Sequence, residues 1–200
     1  AENLAAVGVP HDAVDAVILS HLHFDHAGGV LAAYDGGEPR LLFPKAKFYV
    51  GAAHWERAQS PHARDRASFV PALNELLARS GRLTLVGDGG VSDLAPLVRF
   101  HFSSGHTPGL MLSEIALLRG PLVFVADLIP GLPWVHVPIT MGYDRFPELL
   151  VDEKRALLAD LVGRGGALFF THDPKEPCGV VKKDTRGRFS ADPVSLTSLV

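Results

Sequence analysis

Four side chains that commonly bind metal ions lie close together near the start of the sequence, directly after an apolar run over residues 14–19. They are His21, His23, Asp25 and His26. In an extended segment, alternate side chains point to the same side, so His21 and His23 can bind one ion. As the chain turns toward Gly28-Gly29, Asp25 and His26 face a second position beside the first. The cluster therefore predicts a metal site at the end of a β-strand.

The rest of the chain alternates short apolar runs with segments of helical spacing, which predicts a mixed α/β fold. The predicted strands cover residues 14–19, 48–50, 83–86, 98–102, 110–118, 122–126 and 167–171. The predicted helices cover residues 52–59, 69–80 and 147–162, and a charged hairpin covers residues 180–189. No repeat, low-complexity tract or linker interrupts the pattern, so a single domain over residues 1–200 is expected.

Composition excludes several classes of protein. Hydrophobic residues make up 47% of the 200 residues, which is enough for a substantial core and excludes disorder. The formal net charge of −3 gives no electrostatic basis for binding nucleic acid or an anionic membrane. A single cysteine, Cys178, excludes an internal disulfide framework and a cysteine-rich zinc ribbon.

Residues 120–141 are apolar over a length that could cross a bilayer, but they contain four prolines and Asp127. Prolines break a helix repeatedly, so this stretch is not expected to span a membrane. The first residues show no basic and apolar targeting pattern. Together with the single cysteine, these features predict a cytoplasmic protein with no membrane partner.

Three further candidate ligands each come just after a predicted strand, namely His106, Asp127 and His172. Because α/β sheets build binding sites at the carboxyl ends of their strands, these side chains are expected to join the first cluster. Seven ligands exceed the need of one tetrahedral ion, so two bound metal ions are expected.

The order His-x-His-x-Asp-His over residues 21–26, followed by a distant His106, Asp127 and His172, resembles the metallo-β-lactamase superfamily. The most similar branch contains glyoxalase II, acyl-homoserine lactonases and methyl parathion hydrolase. The resemblance covers residues 10–173 and implies an αββα sandwich with the site at one edge. In the family, several β-strands precede the first motif, so the fold is expected to be N-terminally incomplete. The edge of the strand over residues 14–19 should be open, or paired with another copy or a missing N-terminal segment.

By that resemblance, one metal ion is held by His21, His23 and His106. The other ion is held by Asp25, His26 and His172. Asp127 bridges the two ions, and Asp25 can accept a proton from the attacking water, so these two carboxylates are the expected catalytic residues. The implied enzyme is a dinuclear hydrolase in which a metal-bridging hydroxide attacks a small ester, lactone, thioester or organophosphate. Imidazole and carboxylate ligands without a thiolate favour zinc, with iron, manganese and cobalt as alternatives.

Other functions stay open at this point. A mononuclear iron sulfur-dioxygenase shares the same scaffold and would use His21, His23, His106 and Asp127-like ligands. A nuclease of the RNA-processing branch is disfavoured by the acidic charge balance, and a non-catalytic metal-binding protein is compatible with the early position of the motif. The tyrosine that lactonases carry three residues after the bridging aspartate is replaced by Pro130. The basic segment with which glyoxalase II holds glutathione after that aspartate is not apparent either, so neither activity is assigned.

Residues 128–146 form a long, irregular, apolar stretch. Loops of this length are uncommon without a function, and this one begins just past Asp127. We therefore expect it to line or cover the metal site and to select an apolar small-molecule substrate. His136, Tyr143 and Asp144 are candidates for shaping substrate fit, whereas His54 is interpreted as an ordinary histidine without a role in the site.

Overall fold

The computed structural model describes residues 2–90 and 93–200. The chain divides into two units, Ala1–Gly89 and Gly90–Val200, each with its own β-sheet and its own apolar core. Both units combine helices with strands, as the sequence predicts. The single domain expected over residues 1–200 stays a prediction.

The N-terminal unit is built around three parallel strands in the order β1-β2-β3. The strands are β1 (Ala16–Leu19), β2 (Lys47–Gly51) and β3 (Leu83–Val86). The helices are α1 (Glu2–Ala6), α2 (Phe24–Ala27), α3 (Ala52–Gln59) and α4 (Pro71–Arg79). Helices α3 and α4 form the crossover that two neighbouring parallel strands require. Among the described residues, β1 pairs with β2 alone, so its other edge is open, as the sequence analysis expected.

The core of this unit holds the start of the predicted metal site in place. Leu22, Phe48, Leu73 and Leu77 are all fully buried. Leu73 and Leu77 are one turn apart on α4, which begins with Pro71 in the first helical position, where its missing N–H costs nothing. Burying a side chain of this size contributes roughly 1.5–3 kcal/mol. Leu22 is therefore a hydrophobic anchor between two candidate ligands.

The C-terminal unit is built around a six-stranded mixed sheet in the order β4-β5-β6-β7-β8-β9. Its strands are β4 (Val98–Ser103), β5 (Leu110–Leu117), β6 (Gly120–Phe124), β7 (Ala167–Phe169), β8 (Cys178–Lys183) and β9 (Phe189–Val194). Strands β6 and β7 are parallel, and every other neighbouring pair in this sheet is antiparallel. Helix α5 (Pro147–Arg164) provides the crossover between the two parallel strands.

Helix α5 buries one face against the sheet. Its buried residues are Leu150, Lys154, Leu157, Leu158 and Leu161. The helix ends at Arg164, two residues later than predicted. The next residue, Gly165, adopts a left-handed conformation with φ of +63° and donates its N–H to carbonyls of the last turn. Within the described part of the chain, no helix has both the length and the apolar character needed to cross a membrane.

Two of the predicted strands that end earlier than expected lie just before candidate ligands. Strand β6 stops at Phe124, and Asp127 lies in a short 3-10 turn over Ala126–Leu128. Ala126 has φ of +40°, a left-handed conformation that ends the strand. Strand β7 stops at Phe169, so His172 is three residues beyond it rather than directly at its end.

Candidate metal centre

The histidine-rich segment follows β1 in the manner predicted. His23 has an extended backbone, and helix α2 begins at Phe24, so Asp25 and His26 lie in its single turn. The ring centroids of His21 and His23 are 4.5 Å apart, and those of His21 and His26 are 4.0 Å apart. Three imidazoles this close together form a donor set suited to a cation.

Burial differs sharply among these four side chains. His21 is fully buried and His23 nearly so, whereas the side chain of Asp25 is 40% exposed. The Oδ2 atom of Asp25 lies 3.4 Å from Nε2 of His26. Ser20 Oγ is 3.2 Å from Nδ1 of His21, so Nε2 is the atom through which His21 would bind a metal ion. Solvent reaches this cluster at Asp25.

In the C-terminal unit, Asp127 lies between two histidines. Its Oδ2 atom is 3.3 Å from Nε2 of His106, and its Oδ1 atom is 3.3 Å from Nε2 of His172. His106 and Asp127 are buried, while the side chain of His172 is 40% exposed. A carboxylate that presents a different oxygen to each of two histidines can bind a cation through either oxygen. The left-handed Ala126 directly before it is a strained conformation of the kind that functional sites retain.

One carboxylate holds the His106 ring, and a second holds the loop that precedes it. Asp144 Oδ1 is 2.9 Å from Nδ1 of His106, and both side chains are buried. As a carboxylate, Asp144 can only accept this hydrogen bond, so Nδ1 carries a proton, and Nε2, the nitrogen beside Asp127, is the atom through which His106 would bind a metal ion. Glu153 of α5 accepts hydrogen bonds from Ser103 Oγ and from the backbone N–H groups of Ser104 and Gly105.

The loop that carries His172 is fixed through its backbone. The N–H of His172 donates to the carbonyl of Pro130 over 2.8 Å. The neighbouring Asp173 accepts backbone hydrogen bonds from Leu132, Lys175 and Glu176. These bonds, that from Glu176 foremost, hold the pKa of Asp173 below its usual value. Hydrogen bonds therefore hold the His172 loop against the residues that follow the 3-10 turn containing Asp127.

Residues 128–146 divide into two parts. At the later end, Asp144 bonds His106, and the exposed ring of Tyr143 meets the His106 ring edge-on with centroids 5.9 Å apart. Near the middle, Lys154 of α5 donates to the carbonyls of Trp134, over 3.0 Å, and Ile139, over 2.5 Å. Lys154 is fully buried, and burial lowers its pKa to about 8, although Asp144 raises it in part.

His136 is exposed and lines a groove formed with residues of α5 and of the β8–β9 hairpin, including Arg155 and Phe189. Its candidate role in shaping substrate fit stays a prediction. Trp134 packs against the apolar core of the C-terminal unit. The stretch therefore contacts candidate ligands near both of its ends, His172 at Pro130 and His106 at Tyr143 and Asp144.

Sequence reasoning missed several residues that support the candidate ligands, namely His54, Asp144, Glu153 and Lys154. Lys154 carried a readable signal, because it lies four residues from both Leu150 and Leu158 on the apolar face of α5. His54 and Asp144 had none, since their partners are 32 and 38 residues away.

Residues 1–172 match the family model described as the metallo-beta-lactamase superfamily. The chain belongs to this superfamily. N-acyl homoserine lactonases AiiB from Agrobacterium fabrum and from Rhizobium rhizogenes are each 30% identical to it over 155 residues. The match takes in 72% of this chain and 54% of each lactonase, so the chain spans about half the length of the curated relatives it matches.

Solved structures show the metallo-β-lactamase fold. The dizinc quorum-quenching lactonase AidC matches with a TM-score of 0.78 at 24% identity, covering 98% of this chain and 69% of that chain. A probable metal-dependent hydrolase from Staphylococcus aureus matches with a TM-score of 0.82 at 20% identity, covering 97% of this chain and 67% of that chain. Membership of the superfamily predicted from residues 21–26, His106, Asp127 and His172 is confirmed.

Proposed function

We propose that this protein is a dinuclear metal-dependent hydrolase that acts on a small ester or lactone. The observation that carries the proposal is the position of Asp127, whose two oxygens each lie 3.3 Å from a different histidine. Family membership and a donor set of nitrogen and oxygen atoms support it further. Thioesters and organophosphates are the other substrates that the same chemistry admits.

The proposed ligands are the seven residues identified from the sequence. One ion would be held by His21, His23 and His106. The second would be held by Asp25, His26 and His172, with Asp127 shared between the two. When bound, a pair of divalent cations lowers the pKa of water enough to provide hydroxide at neutral pH. Asp25 is the exposed carboxylate of the set, so it can accept a proton from solvent water beside His26.

A lactone is the substrate class that we favour. Both AiiB relatives are N-acyl homoserine lactonases, and the AidC structure contains an N-acyl-homoserine product. Pro130 stands where such lactonases carry a tyrosine, but Tyr143 offers an exposed aromatic hydroxyl beside His106. We propose that Tyr143 contacts the substrate, which would be a small molecule with an apolar part.

Zinc is the proposed metal, because imidazole and carboxylate donors suit it and AidC is a dizinc enzyme. Iron, manganese and cobalt bind similar donors. A cytoplasmic location, and completion of the sheet by another copy or by a missing N-terminal segment, stay predictions from the sequence.

The deciding experiment is metal analysis of the protein purified without chelator, followed by assays of the same sample. The expected results are two zinc ions per chain and hydrolysis of an N-acyl homoserine lactone, which is measured through the protons it releases. Hydrolysis of a phosphotriester but not the lactone would move the substrate to organophosphates. A single bound iron with oxygen consumption would favour the sulfur-dioxygenase alternative, and absence of metal would overturn the proposal.

A further inference from the structure

His54 makes a hydrogen bond to the backbone of the histidine-rich segment. It lies near the start of helix α3, is fully buried, and its Nε2 atom accepts the N–H of Leu22 over 2.8 Å. Leu22 is the residue between His21 and His23. Because the backbone N–H is the donor, Nε2 of His54 carries no proton, and the neutral ring has its proton on Nδ1.

The bond between Leu22 and His54 contributes to stability because it is shielded from water. Leu22 is fully buried, so without His54 its N–H would be cut off from water, and an unsatisfied buried donor costs about 1–3 kcal/mol. The His54 ring centroid lies 5.9 Å from that of His21 and 6.3 Å from that of His23. Phe69 packs against both His54, at 5.9 Å, and His23, at 5.1 Å. His54 and Phe69 therefore form the support behind the two candidate ligands.

We propose that His54 is a positioning residue for the metal-binding segment. By accepting the Leu22 N–H, it fixes the backbone between His21 and His23 and so sets the separation of their rings. It is not itself a ligand through Nε2, because that lone pair is engaged by the amide. The inference rests on the proposed metal site and adds to it a residue outside the seven ligands.

The test compares three variants of the full-length chain. His54→Leu removes the acceptor at similar size, and His54→Gln keeps a side-chain acceptor. His62→Leu is the matched control, because His62 also accepts a backbone N–H, that of Arg64, but in an exposed loop. Zinc affinity is measured by competition with a chromophoric chelator, the ligand geometry by the absorption spectrum of the cobalt(II)-substituted protein, and the metal-free stability by thermal unfolding.

We expect His54→Leu to weaken zinc binding about 10–100-fold and to alter the cobalt spectrum, as loss of a group that orients ligands does. His54→Gln should recover most of the affinity, and His62→Leu should match the wild type. Unchanged affinity and spectrum in a folded His54→Leu variant, or equal losses in the Leu and Gln variants, would overturn the role. A merely structural histidine would lower the unfolding temperature without changing the cobalt spectrum.

Nitrogen NMR of the wild-type protein gives a second measurement that does not depend on a variant folding. His54 should show an unprotonated Nε2 with and without zinc, while the ligand histidines shift on zinc addition. A large shift of His54 on zinc addition would show that it is a ligand and contradict the inference. None of these readouts uses a substrate, so lack of lactone hydrolysis leaves the inference standing, whereas a wild-type chain that binds no metal removes the proposed function and this role with it.

Discussion

Asp144 accepts a hydrogen bond from Nδ1 of His106 across 2.9 Å, with both side chains buried. The other oxygen of Asp144 accepts the backbone N–H of Met141 over 2.6 Å. Both oxygens are therefore used to fix a candidate ligand and the loop beside it. Interpreting Asp144 from the sequence only as a residue that shapes substrate fit missed this role.

Replacing Asp144 with alanine should weaken metal binding about 10–100-fold, because the His106 ring loses the partner that fixes its orientation and tautomer. Asp144→Asn should have a smaller effect, since one amide oxygen can still accept from Nδ1. Zinc affinity of both variants, measured by chelator competition, checks this prediction. Equal affinity in Asp144→Ala and wild type would show that His106 needs no orienting carboxylate.

Asp127→Asn should weaken the second metal ion more than the first and lower turnover by roughly two orders of magnitude or more. The amide keeps the shape but loses the charge, and its nitrogen cannot bind a metal. Asp152→Asn is the matched control, because Asp152 is exposed on α5 and forms an ion pair with the nearby Arg155. Metal stoichiometry and turnover are measured side by side. If Asp127→Asn keeps two metal ions and normal turnover, Asp127 does not bridge.

Gly105→Ala should destabilise the protein by about 1–3 kcal/mol or more, because the added Cβ would overlap the backbone of Leu150 on α5. The unfolding temperature should fall by roughly 2–4 °C for each kcal/mol. Gly142→Ala is the control, since a Cβ there meets no atom within 4 Å. Thermal unfolding of both variants decides the matter, and an unchanged melting temperature for Gly105→Ala would mean that the loop before His106 can move away from α5.

Raising the pH from 8 toward 10 should stabilise the wild-type protein relative to Lys154→Met. Burial lowers the pKa of Lys154 from 10.5 to about 8, with Asp144 opposing the shift. Between these values the unfolded chain still binds a proton that the folded protein has released, so the free energy of unfolding rises with pH. The full effect is on the order of 3 kcal/mol, at about 1.4 kcal/mol per pKa unit.

Urea unfolding of both proteins across this pH range measures the difference. The neutral amine still has two N–H donors for the carbonyls of Trp134 and Ile139, so these bonds need not be lost as the proton leaves. A stability difference that stays constant or shrinks with pH would contradict the lowered pKa of Lys154.

The sequence predicted elements best where local signals define both ends. Helix α3 and strand β3 match their predicted ranges, and α4 begins at Pro71, two residues inside the predicted start. The predicted end of β6 was wrong because the surroundings of Ala126 impose its left-handed conformation, and an alanine gives no sequence signal for such a conformation.

Candidate ligands could be proposed from the sequence because metal-binding side chains cluster in a short motif, whereas the residues that support them could not. The bond from Leu22 to His54 joins residues 32 positions apart, and no spacing rule links them. Lys154 is the exception, because a charged residue on the apolar face of a helix indicates, from the sequence alone, a buried group that needs hydrogen-bond partners.

Lys154 binds main-chain oxygens of Trp134 and Ile139 rather than their side chains. Every amino acid supplies a carbonyl, so sequence drift at these two positions leaves the anchor intact. The side chains between residue 134 and Tyr143 can therefore change, under natural selection or in a mutant library, while the two hydrogen bonds from α5 to the backbone are retained. Because Lys154 bonds to backbone atoms, this segment can acquire new side chains without losing its attachment to α5.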